Sequence, residues 1–140
     1  MRQSRKSGLA STEYLIVIGI SLLLLTPVII IGNDAIRDLK YKTDNIVARE
    51  AVDEITEMST IVYSQGSPAK ITKNIQFPSN IISTSISDNI IRIEMRYKSA
   101  SNDVFNIVDF NVTGTLPTTS GNHRISIEAI NYGVNITALT

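Results

Sequence analysis

Between Tyr14 and Ile31 the chain reads YLIVIGISLLLLTPVIII, 18 residues without a charged side chain. As a helix this stretch would rise about 27 Å at about 1.5 Å per residue, close to the hydrocarbon thickness of a bilayer. In lipid a backbone must satisfy its own donors and acceptors, so a helix is the conformation open to it. The stretch is therefore predicted to insert into a membrane. Ahead of it, residues 1–8 read MRQSRKSG and carry Arg2, Arg5 and Lys6. Basic flanks stay on the cytoplasmic side, which sends everything after Gly32 outside.

Beyond Asn33 the pattern becomes amphipathic. Val47, Ala51, Ile55, Met58 and Val62 recur at steps of four, four, three and four, while Asp38, Lys42, Arg49, Asp53 and Glu57 fall on other faces. The helix is expected to continue to Gln65-Gly66-Ser67-Pro68, where Gly suits a C-terminal cap and Pro forbids continuation. After Pro68 the period changes to two. Ile71, Ile75 and Phe77 suit one face of a strand, and Ile81–Ile86 with Ile90–Tyr97 suit a hairpin around Ser87-Asp88-Asn89. In its second strand Ile91, Ile93, Met95 and Tyr97 alternate with Arg92, Glu94 and Arg96, so one face is dry and the other wet. A further strand is expected over Val104–Val112 after a turn at Ser101-Asn102-Asp103, then a loop over Thr118–His123. Ile125, Ile127 and Ala129, and then Val134, Ile136 and Ala138, suit two last strands about Asn131-Tyr132-Gly133. The fold class that follows is α+β: a long N-terminal helix, apolar in its first half and amphipathic in its second, then a small antiparallel β-sheet or sandwich domain.

Composition narrows the function. With 140 residues the chain has room for one small domain plus an extended element. The 13 basic and 13 acidic side chains balance, so no nucleic-acid partner is expected. Removal of Arg2, Arg5 and Lys6 would leave 10 basic residues against 13 acidic ones, a mildly acidic chain. The absence of cysteine excludes a disulfide framework and thiol chemistry. Asp103, Asp109, Glu94 and Glu128 are spaced by the polar face of strands, no nucleophile and base can be paired from them, and His123 lacks a second ligand at metal-binding spacing. Neither catalysis nor a cofactor is expected.

A secretory signal peptide has its cleavage site after the apolar stretch, at small residues, and none follows Ile31. The informative junction precedes it: Lys6-Ser7-Gly8-Leu9-Ala10-Ser11-Thr12-Glu13-Tyr14-Leu15. This order resembles the class III signal peptide of type IV prepilins, in which a basic leader ends in Gly and the fifth mature residue is Glu. The run Ala10-Ser11-Thr12-Glu13-Tyr14-Leu15 is similar to the archaeal branch of that family. Many archaeal members carry Gln after the Gly, and bacterial ones Phe or Met; Leu9 stands there in this chain. The resemblance is close over roughly the first 32 residues and architectural beyond them.

The resemblance implies that a prepilin peptidase cuts between Gly8 and Leu9. Gly8 leaves the scissile backbone open, having no Cβ. The implied domains are a removed leader (1–8), a helix (9–65) with residues 9–31 as membrane and filament-core segment, and an exported β-rich head (66–140). It further implies that Glu13 pairs with the Leu9 amine of the next subunit, making both subunit-contact residues. An ionised carboxylate in this stretch asks for such a partner or for an interfacial position. The implied partners are identical copies in a helical filament, the membrane before assembly, and the pilus assembly ATPase and platform protein. The implied location is the cytoplasmic membrane for the precursor, N-terminus inside, and an extracellular adhesive filament for the mature chain. Three alternatives stand beside it: a minor pilin, an archaellin-like subunit, and a single-pass anchor carrying a β-rich extracellular binding module.

Two lesser signals complete the sequence. Asn111-Val112-Thr113 and Asn135-Ile136-Thr137 are candidate N-glycosylation acceptors. Pro27 removes a backbone donor inside the apolar helix and crowds the Leu23 carbonyl, so a kink or break is expected there unless neighbouring groups compensate.

Overall fold

A computed structural model describes residues 4–139, with side chains described from residue 11 onward. Its elements are α1 (Ser4–Gln65), β1 (Lys70–Phe77), β2 (Ile81–Ser87), β3 (Ile90–Tyr97), β4 (Ala100–Ile107), β5 (Asn111–Gly114), β6 (Gly121–Ile130) and β7 (Gly133–Leu139). The chain is thus α+β, and it divides into two compact units, Met1–Lys40 and Tyr41–Thr140.

The first unit is helical throughout its described residues. Pro27 does not break α1. The Thr26 hydroxyl donates to the Leu22 carbonyl at 2.9 Å, beside the position where proline withholds its own donor, and Ser21 binds the Val17 carbonyl at 2.8 Å in the same way. These bonds keep both hydroxyls satisfied without water, as an apolar surrounding requires.

In the second unit α1 turns one face inward. Ala48, Ala51, Val52, Ile55, Met58 and Val62 are buried, and Val47, expected on that stripe, is half-buried beside Ala48. The helix ends as its sequence predicts. Gly66 takes φ 72° and donates to the Val62 carbonyl at 3.1 Å, closing the last turn.

The strands form two sheets, of order β1-β6-β7-β5 and β2-β3-β4. Ile75, Phe77, Ile91, Ile93, Ile125, Ile127, Val134 and Ile136 from both sheets share one core with the α1 stripe. At one flank Lys73 bridges to Glu54, whose hydrogen bond and charge raise the lysine pKa above its ordinary 10.5. At the other, Arg49 donates to the Phe105 carbonyl at 3.3 Å and Asn106 to Asp53 at 2.7 Å, so α1 side chains reach backbone and side-chain groups of edge strand β4.

Three expectations are corrected. The turn into β4 lies at Lys98-Ser99, where Lys98 takes φ 52°, and not at Ser101-Asn102-Asp103. Those residues instead pair with Arg96, Met95 and Glu94, and Asp103 bridges Arg92 across the strands. The single strand expected over Val104–Val112 is two: Val108 and Phe110 turn into the core, and β5 then joins the other sheet, parallel to β7. Glycine makes that parallel pair possible, since a Cβ on Gly114 would collide with the Ile136 carbonyl and one on Gly133 with the Asn111 carbonyl. Finally, Gly121, Asn122 and His123, expected in a loop, extend β6 because they pair with Phe77, Gln76 and Ile75.

Candidate assembly surface

The apolar segment forms the most exposed hydrophobic surface of the described chain. From Ser11 to Lys40 every residue of α1 is exposed, including each aliphatic side chain between Tyr14 and Ile31. By length and composition this helix can cross a membrane. Left in water, such a surface would associate or seek lipid. Glu13 is exposed at the N-terminal border of the segment. It lies one helical turn after Leu9, and residues four apart share a face of a helix. Gly8 and Leu9 belong to the α1 backbone, and the Leu9 side chain lies outside the described ones.

The two acceptor triplets come together on the sheet. Asn111 pairs with Gly133 and Thr113 with Asn135 in adjacent strands β5 and β7, so both asparagines stand on the outer face of the four-stranded sheet. Their surroundings differ. Asn111 is exposed, whereas Asn135 is half-buried, accepting from the Thr113 hydroxyl and donating to that of Thr137, both at 3.4 Å. His123 has its Nε2 3.0 Å from the Thr119 carbonyl, and its ring and that of Phe77 lie nearly perpendicular with centroids 5.7 Å apart. Among the described residues no three His, Asp or Glu side chains gather as metal ligands.

No protein-family model, curated protein or solved structure matches this chain. The exposed segment is therefore described by its own chemistry: an apolar helix long enough to cross a membrane, with one acidic residue at its border, followed by a separately packed β-rich unit.

Reading the sequence for strands and caps passed over two residues. Ile36 and Leu39 are 66% and 63% exposed on the turn of α1 that follows the apolar stretch, between Asp34, Arg37, Asp38 and Lys40. Their spacing of three within a charged segment was the available signal.

Proposed function

We propose that the chain is the precursor of a subunit of an archaeal type IV pilus-like filament, cut between Gly8 and Leu9 and polymerised through its apolar helix. The observation that carries this reading is the conjunction of a fully exposed, lipid-length helix with the basic leader, Gly8 and Glu13 directly before it. Before assembly, lipid covers the helix and the Arg2, Arg5 and Lys6 side chains hold its N-terminus in the cytoplasm. On assembly, neighbouring helices replace the lipid, and Glu13 pairs with the Leu9 amine of an adjacent copy. The β-rich unit faces outward and supplies the adhesive surface. Asn111, the more exposed acceptor, carries any glycan in preference to Asn135, detected as added mass on its peptide.

The Glu13 pair is tested by substitution. Glu13→Ala removes one member of a buried ion pair, which costs about 3–5 kcal/mol because the other charge is left uncompensated. Insertion depends on summed apolarity and on the basic leader, so it persists. The expected result is processed subunit in the membrane with few or no sheared filaments, from both Glu13→Ala and Glu13→Gln. Filaments at the unaltered level would make Glu13 an interfacial side chain and favour a single-pass anchor bearing a binding module.

A further inference from the structure

We infer that neighbouring copies of this chain meet along a seam of Ile29, Gly32, Ile36 and Leu39, parallel and offset by one heptad, so that Leu39 of one copy fills the gap over Gly32 of the next. The inference rests on the filament reading and names the contact that reading leaves open.

Ile36 and Leu39 remain 66% and 63% exposed within the Met1–Lys40 unit. Hydrocarbon is a poor cover for them, because Asp34, Arg37, Asp38 and Lys40 surround them and charges do not enter lipid cheaply. Stepping back along the helix, Ile36 leads to Gly32 and Ile29, then to Leu25, Leu22, Ile18 and Leu15, in alternating steps of four and three. That spacing is a coiled-coil seam, in which side chains of one helix enter gaps between those of another.

Gly32 identifies the occupant. Glycine is costly inside a helix. No positive φ demands it here, and a Cβ at this position would meet nothing within 4 Å in its own chain. Its use therefore lies outside the chain, where it leaves a gap in the seam at the height of one layer. Every copy enters the membrane from the same side, so paired helices run parallel. Paired in register, Gly32 would face Gly32 and leave a void, and the contact would close as a symmetric dimer. Offset by seven residues, Leu39 faces Gly32 and Ile36 faces Ile29. The gap is filled, and because the two partners use different stretches of the seam, the contact is heterologous and can repeat without end. One heptad corresponds to an axial step of about 10 Å.

The chain has no cysteine, so introduced thiols report this contact alone. Gly32→Cys with Leu39→Cys is made in the full chain, and the sheared, sedimentable fraction is oxidised and run without reductant. Within one helix those positions lie about 10 Å apart, too far for a disulfide, so any bond joins two copies. The expected result is a ladder of dimers, trimers and longer chains from this pair and from Ile29→Cys with Ile36→Cys, and none from Ile36→Cys alone. The second pair keeps Gly32 intact and decides the matter if the first variant assembles poorly. Dimers from Ile36→Cys alone would establish in-register pairing and overturn the offset. Sedimentable filaments without a ladder from either pair would overturn the seam and leave the filament reading intact. An absence of filaments from the unaltered chain would overturn both.

Discussion

Ser79 donates its hydroxyl to Asp44 Oδ1 at 2.6 Å, joining α1 to the turn between β1 and β2 across 35 residues of sequence. Asn80 adds its amide to Asp44 Oδ2 at 3.1 Å, and the rings of Tyr41 and Tyr97 meet edge to face at 5.3 Å nearby. A charged acceptor holding several donors at once fixes the α1 turn at the start of the second unit. Asp44→Ala is predicted to destabilise that unit by about 1.5–3 kcal/mol, the value of hydrogen bonds to a charged group. Denaturant unfolding of the detergent-solubilised chain, followed by its β-sheet signal, measures this, and an unchanged midpoint would show the cluster to be decorative.

Ser59 behaves in the opposite sense. Its side chain is fully buried on the inward face of α1, and its hydroxyl has no hydrogen-bond partner. An unpaired buried hydroxyl carries a desolvation penalty of about 1–3 kcal/mol, and alanine nearly matches serine in volume. Ser59→Ala is therefore predicted to raise stability by about 1 kcal/mol. A loss of stability in the same unfolding experiment would contradict this.

Residues 41–140 form a compact unit with a core of their own, and the lipid-length segment lies outside it. Produced alone, they are predicted to be soluble, monomeric and β-rich by circular dichroism, with one cooperative thermal transition. Within this fragment Ile93→Ala removes a side chain with no exposed surface and is predicted to cost about 2–5 kcal/mol. Filaments from the fragment would place the assembly surface in the wrong half of the chain.

The parts of this fold legible in the sequence are those where local chemistry decides. Gly66 and Pro68 marked the end of α1, and the alternation of Ile91, Ile93 and Met95 marked β3 and its buried face, because each depends on residues within a few positions; Tyr97, expected on that face, is exposed at the strand's end. What escaped depends on partners distant in the chain. Ser101-Asn102-Asp103 has the composition of a turn, yet pairing with β3 draws it into a strand, and the chain reverses at Lys98, a residue with no turn preference. The break at Val108-Asp109-Phe110 is hidden because both apolar residues face the core there just as they would in a strand. Asp44 and Ser79 look like ordinary surface residues until the fold brings them together. For the exposed face of α1, the apolar run was visible at once, whereas the exposure of Ile36 and Leu39 required knowing that nothing in their own unit covers them.

The intact mass of the subunit recovered from sheared, sedimented filaments tests the central claim most directly. The account predicts a chain that begins at Leu9, shorter than the precursor by residues 1–8, with its apolar helix retained. Gly8→Val, which places a branched side chain at the scissile bond, is predicted to abolish that species and leave full-length chain in the membrane. A mass corresponding to the full 140 residues, or to a chain cut after Ile31, would contradict the account.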